Sequence, residues 1–375
     1  MTDPVYILAD SVVSPLGNTT KENMEKLYDL ESSIGSESHP QMGKIFASTF
    51  NADKHFPIKD SSERFTKIER LFIYSIEQAI ASLGRPLEQT NVLFVFASTK
   101  GNIEFLGDTT FDSNRLRIGV MAKDIADYFG NNNNSVIVSN ACISGLQAIQ
   151  YGCQALQSKK YTHVIVTGAD CVSEFVLSGF HSFQALSPFP CTPFDKNRAG
   201  VSLGEGCGTL ILSCTPNTEN NIEILSVVSS NDANHLSGPS RTGEGLASAI
   251  QGAIKDAGIR DIDIDVISAH GTATLYNDEM ESLAFKTTGV SNAPVYSIKG
   301  NIGHCLGASG IIETIVLANS MLADTLVPSI GFKEMGTTVA LNVVAKSVHK
   351  NLNIGLKTAS GFGGGNTALI LKKQK

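Results

Sequence analysis

An α/β fold, its strands buried on both faces between helices, is predicted by three features of the sequence. Continuous apolar runs of strand length recur in NVLFVFAS (91–98), SVIVS (135–139) and THVIVTGA (162–169), without the alternation of a sheet that is wet on one side. Segments with apolar residues at helical spacing separate those runs, which is the rhythm of an α/β protein. Glycine is abundant, at 34 residues, and 42% of the chain is apolar, so the chain packs a core and turns often. Its 375 residues exceed what one hydrophobic core usually holds, and two domains, or two halves sharing an interface, are expected.

The N-terminal MTDPVYILADSVVSPLG has a short apolar core and no basic leading region, so it reads as a first strand and not as a signal peptide. In ERFTKIERLFIYSIEQAIASL (63–83), Phe65, Ile68, Phe72, Ile76 and Ile80 repeat at helical spacing, and Gly84 and Pro86 stop the helix. Strand 91–98, a helix near 121–129, strand 135–139, a helix over 144–157 and strand 162–169 follow. The second half repeats the rhythm with strand IEILSVVSS (222–230), helix 243–257, strand IDVISA (264–269), helix 278–287, strand 295–298 and helix 309–323. GEGCGTLIL (204–212) closes the first half and GGGNTALIL (363–371) closes the second. This echo reads either as a duplicated α/β unit or as a chance match in a Gly-rich chain. A boundary near CTPNTENN (214–221) suits duplication.

Charge and cysteine usage exclude several functions. A formal net charge of −7 with no basic block argues against nucleic-acid binding, which needs clustered Lys and Arg. No run reaches the roughly 18 apolar residues of a membrane span. The seven cysteines, at 142, 153, 171, 191, 207, 214 and 305, form no CxxC pair and no Cys/His ligand spacing. A reduced, cytoplasmic protein without structural zinc is expected.

Four glycine-flanked stretches carry polar residues that a plain core avoids. In VSNACISGLQAIQYGCQAL (138–156), Cys142 falls between a strand end and a helix start, as in a nucleophile elbow. Helix N–H groups and the helix dipole would favour a thiolate there, so Cys142 is expected to ionise below the free-thiol value of about 8.5. On this stretch alone, a small buried hydrophobe is an equal reading. In SAHGTATLYND (268–278), His270 sits at a strand's C-terminal end, where α/β proteins place ligands, although a structural histidine in a turn also fits. Thr272 and Thr274 lie on one side of an extended segment, where they could donate hydroxyl hydrogen bonds to an amide-bearing ligand. In SIKGNIGHCLGASGIIET (297–314), Lys299 and His304 flank two glycines ahead of a helix, and Glu313 is the nearest counter-charge for Lys299 in sequence. A solvated lysine and a capping histidine are the plain alternatives. In ASGFGGGNTALIL (359–371), glycines let the backbone approach a ligand, with Phe362 the one bulky residue of the turn. A simple hairpin turn fits as well. A phosphate loop does not, because there is no GxGxxG and no Lys-Ser/Thr after the glycines.

Taken in order, a Cys, a His, a Lys-x₄-His and a Gly-rich turn make this sequence similar to the β-ketoacyl-acyl carrier protein synthases of the thiolase superfamily, in the branch with a Cys-His-His site. The resemblance covers essentially the whole chain, through VVSPLGN (12–18), NACISG, TPFDKNRAGVSLGEGCGTLIL (192–212), AHGTATLYND, SIKGNIGHCLGASG and GFGGGN. It implies a thiolase-like fold of two duplicated α/β halves in a layered α-β-α-β-α core. Residues 1–216 would carry the nucleophile, and residues 217–375 the two histidines and the Gly-rich gate. The implied activity is that of a 3-oxoacyl-[acyl-carrier-protein] synthase: acyl transfer to Cys142, then decarboxylative Claisen condensation with malonyl-carrier protein, in fatty-acid or related polyketide or polyene synthesis. His270, His304 and Lys299 match the family's catalytic residues, and Glu313 matches the carboxylate that pairs with the lysine. The backbone N–H groups of Cys142 and Phe362 match its oxyanion hole, Phe362 also its gate, and Thr272 and Thr274 its phosphopantetheine-binding threonines. No metal or organic cofactor is implied, since the substrates ride on the phosphopantetheine of acyl carrier protein. The implied assembly is a homodimer, or a heterodimer with a chain-length-factor-like subunit.

Three features depart from the elongating housekeeping members of that family. The last turn reads ASGFGG where many read SFGFGG, so Ser360 replaces an aromatic beside the gate. The chain is short before Cys142, where STKGNIEFLGDTTF (98–111) is expected near the acyl pocket and dimer interface. SNACISG and KGNIGH resemble polyketide or aryl-polyene synthase subunits as closely as fatty-acid enzymes. Other classes fit less well. Chain-length factors lack the nucleophile, a CoA-dependent thiolase needs a second cysteine that residues 359–371 do not have, and a cysteine hydrolase has no use for the Lys299/His304 motif.

Overall fold

A computed structural model describes residues 3–51, 56–59, 64–216, 221–232, 238 and 240–374. Eleven strands form one long mixed sheet. They are β1 (Val5–Val13), β2 (Val92–Ala97), β3 (Val136–Val138), β4 (His163–Asp170), β5 (Gly206–Ser213), β6 (Ile222–Asn231), β7 (Val266–Ser268), β8 (Pro294–Tyr296), β9 (Asn342–Val343), β10 (Ile354–Ser360) and β11 (Gly365–Lys373). Their order across the sheet is β9-β8-β7-β10-β11-β6-β1-β5-β4-β2-β3. The α-helices are α1 (Thr20–Tyr28), α2 (Lys67–Leu83), α3 (Ile118–Tyr128), α4 (Ser144–Gln157), α5 (Glu174–Ser182), α6 (Glu244–Ala257), α7 (Leu275–Thr287), α8 (Lys299–Ile302) and α9 (Ser309–Leu322).

The sheet is built twice. In the first half β2 runs parallel to β3 and β4, β4 is antiparallel to β5, and β5 is antiparallel to β1. In the second half β7 runs parallel to β8 and β10, β10 is antiparallel to β11, and β11 is antiparallel to β6. Apart from the edge strand β9, the two strand orders are the same. The first strands of the halves join them, Val5 to Ile7 facing Ile224 to Ile222 antiparallel.

Helices α4 and α9 lie between the halves. One packs on β4 and β2 and also on β6 and β11, and the other on β5 and β10. Because α9 faces apolar surface on nearly every side, its sequence is apolar nearly all round. Outside, α2 covers β1, β5 and β4, and α6 covers β6 and β11, which completes an α-β-α-β-α layering. Three apolar cores fill the interfaces. Leu146 and Ile149 meet Ile311, Ile312 and Ile315 in the middle, Ile68, Phe72 and Ile76 lie under α2, and Leu246, Ile250 and Phe285 lie under α6 and α7. The strand read at 91–98 is buried on both faces, with Leu93, Val95 and Ala97 in the core shared with α4 and Val92, Phe94 and Phe96 in the core under α2. Helix α2 starts where Thr66 and Glu69 form a reciprocal capping box and ends at Gly84, with φ +70.

The central pair touches backbone to backbone. A Cβ on Gly145 would lie 2.7 Å from Gly307 O and 2.9 Å from Ile311 N, and one on Gly310 would lie 2.7 Å from Leu146 N. Backbone cannot give way as a side chain can. Gly310→Ala is therefore expected to cost about 1–3 kcal/mol, the range for overpacking a core. A urea midpoint shifted by that amount checks it, and an unshifted midpoint would show that the pair can slide.

Several elements differ from expectation. Helix α1 is too polar to show a clear apolar period, α5 is short and carries Gly179 within it, and the hairpin Gly35–His39 with Gly43–Ser48 has a largely exposed first strand. Strand β10 carries a lysine in its middle. Helix α7 begins at Leu275, earlier than position 278. Of the expected boundary stretch 214–221, residues 217–220 lie outside the described residues, as does Glu63 at the start of the expected helix 63–83. Among the described residues no helix is long and apolar enough to cross a membrane.

Candidate active site

The connection from β3 to α4 turns sharply. Ala141 sits at φ +44, in the left-handed region that a residue with a Cβ rarely adopts, and Cys142 follows it. The Ser144 hydroxyl fastens the turn, donating to Ala141 O at 2.6 Å and accepting from Asn140 N at 2.8 Å. Cys142 Sγ then lies 2.9 Å from Nε2 of His304, which comes from the other half of the sheet. The Gly-rich turn between β10 and β11 passes close by, so that a Cβ on Gly361 would lie 3.2 Å from Cys142 N.

His304 is clamped by its backbone, its N–H donating to Ser202 O at 2.8 Å while its carbonyl accepts from Gly204 N at 3.0 Å. Such close threading leaves no room at the preceding residue. Gly303 has φ +68, and a Cβ there would lie 2.3 Å from Leu203 O. His304 Nδ1 is 2.9 Å from the Ser309 hydroxyl at the start of α9. His270 leaves the end of β7, where its own N–H and that of Gly271 donate to Glu281 of α7 at 2.8 and 2.6 Å. The two imidazole rings cross at 86° with centroids 5.2 Å apart.

Behind the histidines lies a buried charge cluster. Lys299 Nζ is 2.5 Å from Glu313 Oε1, donates to His270 O at 2.5 Å, and lies 3.4 Å from His270 Nδ1. The pairing of Lys299 with Glu313 is the one the sequence points to. It did not point to Lys357 of β10, whose Nζ is 2.7 Å from Glu313 Oε2. Lys299 and Lys357 have no exposed surface, and Glu313 is 3% exposed. The available signal was a single charged residue inside the otherwise uncharged strand NIGLKTAS (353–360). Glu281 and Ser309 were also missed, because nothing local distinguishes a buried carboxylate or hydroxyl from a surface one.

Burial is the main cause that lowers both histidines well below the ordinary imidazole value, and the ammonium groups of Lys299 and Lys357 push the same way. Both rings are therefore neutral near pH 7. The expected low-pKa thiolate is corrected here: burial pushes the Cys142 thiol up to about 12, with Lys299 pulling in the opposite direction. A helix terminus is worth at most about 2 kcal/mol, which lowers a thiol pKa by about 1.5, and that does not offset such burial. The resting pair is a neutral thiol against a neutral imidazole. Alkylation of Cys142 by iodoacetamide is accordingly expected to accelerate about tenfold per pH unit from pH 7 to 10, without levelling off. A plateau below pH 8.5 would restore the thiolate.

The site opens into a cavity of about 300 Å³ whose walls include Cys142, His270, His304, Thr272, Thr274 and Phe362. The Thr272 and Thr274 hydroxyls are 2.9 Å apart. They share one side through a kink, since Ala273 has φ +62, and not through an extended segment. Phe362 packs on Phe180 at 5.6 Å and on Phe183 at 5.2 Å between centroids, and Phe180 lies 6.4 Å from His304. Phe362 thus has aromatic neighbours from α5 and its end, while Ser360 donates to Asn366 Oδ1 at 2.7 Å. No residue of 98–111 lines this cavity. Thr99 of that stretch is tied instead to Asp170, which accepts from its N–H at 3.0 Å. Ligand atoms of Cys142, His270 and His304 lie within 4.8 Å of one another, a donor set that suits zinc, but the two buried ammonium groups beside them oppose a divalent cation.

Similarity to known proteins follows the same lines. Residues 3–216 match the family described as "Beta-ketoacyl synthase, N-terminal domain", and residues 222–333 match "Beta-ketoacyl synthase, C-terminal domain". The chain is 29% identical over 267 residues to a putative polyketide beta-ketoacyl synthase 1 of Streptomyces cyaneus, covering 67% of this chain and 63% of that protein. It is 31% identical over 248 residues to 3-oxoacyl-[acyl-carrier-protein] synthase 2 of Staphylococcus aureus, covering 62% of this chain and 60% of that one. The chain thus spans less than two thirds of the length of each of these two relatives. Among solved structures, a ketosynthase in complex with its chain length factor from Xenorhabdus doucetiae has a TM-score of 0.89 at 26% identity, covering 99% of this chain and 98% of that one. A beta-ketoacyl synthase from Burkholderia phymatum has a TM-score of 0.89 at 24% identity, with full coverage of both chains, and shares the fold. With this layered core and more than half of its length matched by the N-terminal profile alone, the chain belongs to the beta-ketoacyl synthase family, with a thiolase-like fold.

Proposed function

We propose that the chain is a 3-oxoacyl-[acyl-carrier-protein] synthase, an acyltransferase that joins an acyl group to a malonyl-derived unit. One observation carries this reading: Cys142 Sγ lies 2.9 Å from a neutral His304, with His270 crossing it, in the wall of a cavity also lined by two threonines and Phe362. In the first half-reaction the Cys142 thiol passes its proton to His304 Nε2 as sulfur attacks the carrier-bound thioester. The proton leaves on the phosphopantetheine thiol, and the acyl group stays on sulfur. In the second, the carboxylate of malonyl-carrier protein leaves as CO₂ and its bonding electrons move to the thioester oxygen. Imidazole N–H groups of His270 and His304 donate to that enolate, where one preorganised donor is typically worth about 3–4 kcal/mol. The enolate carbon bonds to the acyl carbon, and the expelled Cys142 sulfur takes up one proton.

His304 has to accept in one half-reaction and donate in the other. The Ser309 hydroxyl beside its Nδ1 serves both forms, accepting from Nδ1–H or donating to a bare Nδ1. The N–H groups of Cys142 and Phe362 are assigned to the oxyanion, Thr272 and Thr274 to the phosphopantetheine arm, and Lys299 with Glu313 to holding His270. The site draws on both halves, residues 1–216 supplying the nucleophile and 217–375 the histidines and the gate, which the repeated strand order supports. The reading calls for acyl- and malonyl-loaded carrier protein as partners, a reduced cytoplasmic setting, and no metal or organic cofactor.

The test is intact-mass analysis after incubation with acyl-carrier proteins and malonyl-carrier protein. An acyl adduct on Cys142 and a ketoacyl product are expected, and absence of any adduct would sink the reading. A second reading, the ketosynthase subunit of a polyketide or aryl-polyene heterodimer, is favoured by likeness to the Xenorhabdus ketosynthase seen with its chain length factor. It predicts an adduct, but no ketoacyl product until a related subunit is added.

A further inference from the structure

We propose that Lys357 is a second cation of this reaction centre, a positioning residue that shares Glu313 with Lys299 and pins the turn bearing His270, so that His270 keeps its Nε2–H aimed into the cavity. The proposal rests on the condensing reading above. Burying an ammonium group is costly, and Glu313 already has a counter-ion in Lys299 at 2.5 Å. Neutralising Glu313 therefore does not explain a second lysine.

Its contacts suggest what does. Lys357 Nζ donates to the carbonyls of Ser268 and Ala269, both at 3.2 Å, and of Thr358 at 2.5 Å, besides its ion pair with Glu313 at 2.7 Å. One ammonium thus ties the last residues before His270 to β10 and to α9. The charged and titratable groups facing it are Glu313 from α9, Lys299 from α8, Glu281 from α7, and the two histidines. Glu281 is occupied by the N–H groups of His270 and Gly271, by Asn277, and by the Thr358 hydroxyl.

With its carboxylate divided, Glu313 neutralises Lys299 only in part. Lys299 Nζ keeps a donor for His270 Nδ1, 3.4 Å away, and an accepting Nδ1 places the ring proton on Nε2. The cluster also keeps positive charge behind the two rings while the enolate forms in front of them. Decarboxylation needs both effects, whereas acyl transfer to Cys142, which relies on His304, needs the first hardly at all.

The experiment compares wild type with Lys357→Met and Lys357→Gln. Each substitution leaves the Lys299–Glu313 pair intact and balanced. Condensation kcat is expected to fall on the order of 10²-fold, as for a reacting group displaced by about 1 Å. The KM for malonyl-carrier protein and the rate of Cys142 acylation should stay within about threefold. Imidazole ¹⁵N NMR should show His270 as the Nε2–H tautomer in wild type, and as a mixture or a ring protonating at higher pH in the variants. An unchanged His270 signal with unchanged kcat would overturn the proposal. So would acylation and condensation falling together, or failure of both variants to fold, since Lys357 would then be structural only. If wild type takes up no acyl group, the condensing reading fails, and the NMR comparison still judges Lys357.

Discussion

Cys142→Ala is expected to take up no acyl group and to lose condensation by roughly 10⁴-fold or more, while still releasing CO₂ from malonyl-carrier protein. The substitution removes the one sulfur that touches His304. No other cysteine is placed to replace it. Cys191 and Cys305 do not line the cavity, and their thiols donate instead to the carbonyls of Lys299 at 3.2 Å and Glu205 at 3.5 Å. The donors to the enolate survive the change, because His270 is held by Lys299 and Glu281, and His304 by its backbone and Ser309. Acyl transfer and decarboxylation are therefore separable in this variant. Intact mass reports the first and CO₂ release the second. A persistent adduct would place the nucleophile elsewhere, and loss of CO₂ release would mean that the histidines depend on the thiol for their positions.

Glu313→Gln is expected to destabilise the protein by about 3–5 kcal/mol at pH 7, a large share of the usual 5–15 kcal/mol for a folded domain. Two ammonium groups without exposed surface lose their shared counter-charge. Elementary titration caps the loss. One lysine can shed its proton instead, and neutralising an amine of pKa about 10.4 at pH 7 costs about 4.6 kcal/mol. The sign with pH follows. The cost falls by about 1.4 kcal/mol per unit as pH rises, so the variant should approach wild-type stability between pH 9 and 10. Adding Lys357→Met removes one cation and should recover part of the loss at pH 7. Urea unfolding midpoints across pH measure all of this, and a Glu313→Gln protein as stable as wild type at pH 7 would show that the cluster is screened by water.

The parts of the fold that were legible are those whose signal is local. Continuous apolar runs revealed β2 and β4, helical spacing revealed α2, α4 and α9, and the paired Gly-rich endings hinted at the repeated strand order. Helix α1 stayed hidden because it buries only Asn23, Met24 and Leu27, too few to set a period. Of the site, the residues next to glycines stood out: Cys142, His270, His304 and Phe362. Their protonation states did not. Cys142 at a helix start suggests a thiolate, and only its burial beside neutral rings reverses the sign. Lys357 was invisible for a related reason, since a lysine in a strand reads as an edge residue until both faces of that strand are seen to be covered.

The backbone contact between α4 and α9 bears on how the proposed site comes together. Each helix belongs to a different half, so Cys142 Sγ and His304 Nε2 come within 2.9 Å only when the halves dock in register. A chain docked one step out of place would hold Cys142 without His304 Nε2 beside it as a proton acceptor. On the proposed reading, correct docking of the two halves is therefore what supplies Cys142 with its base.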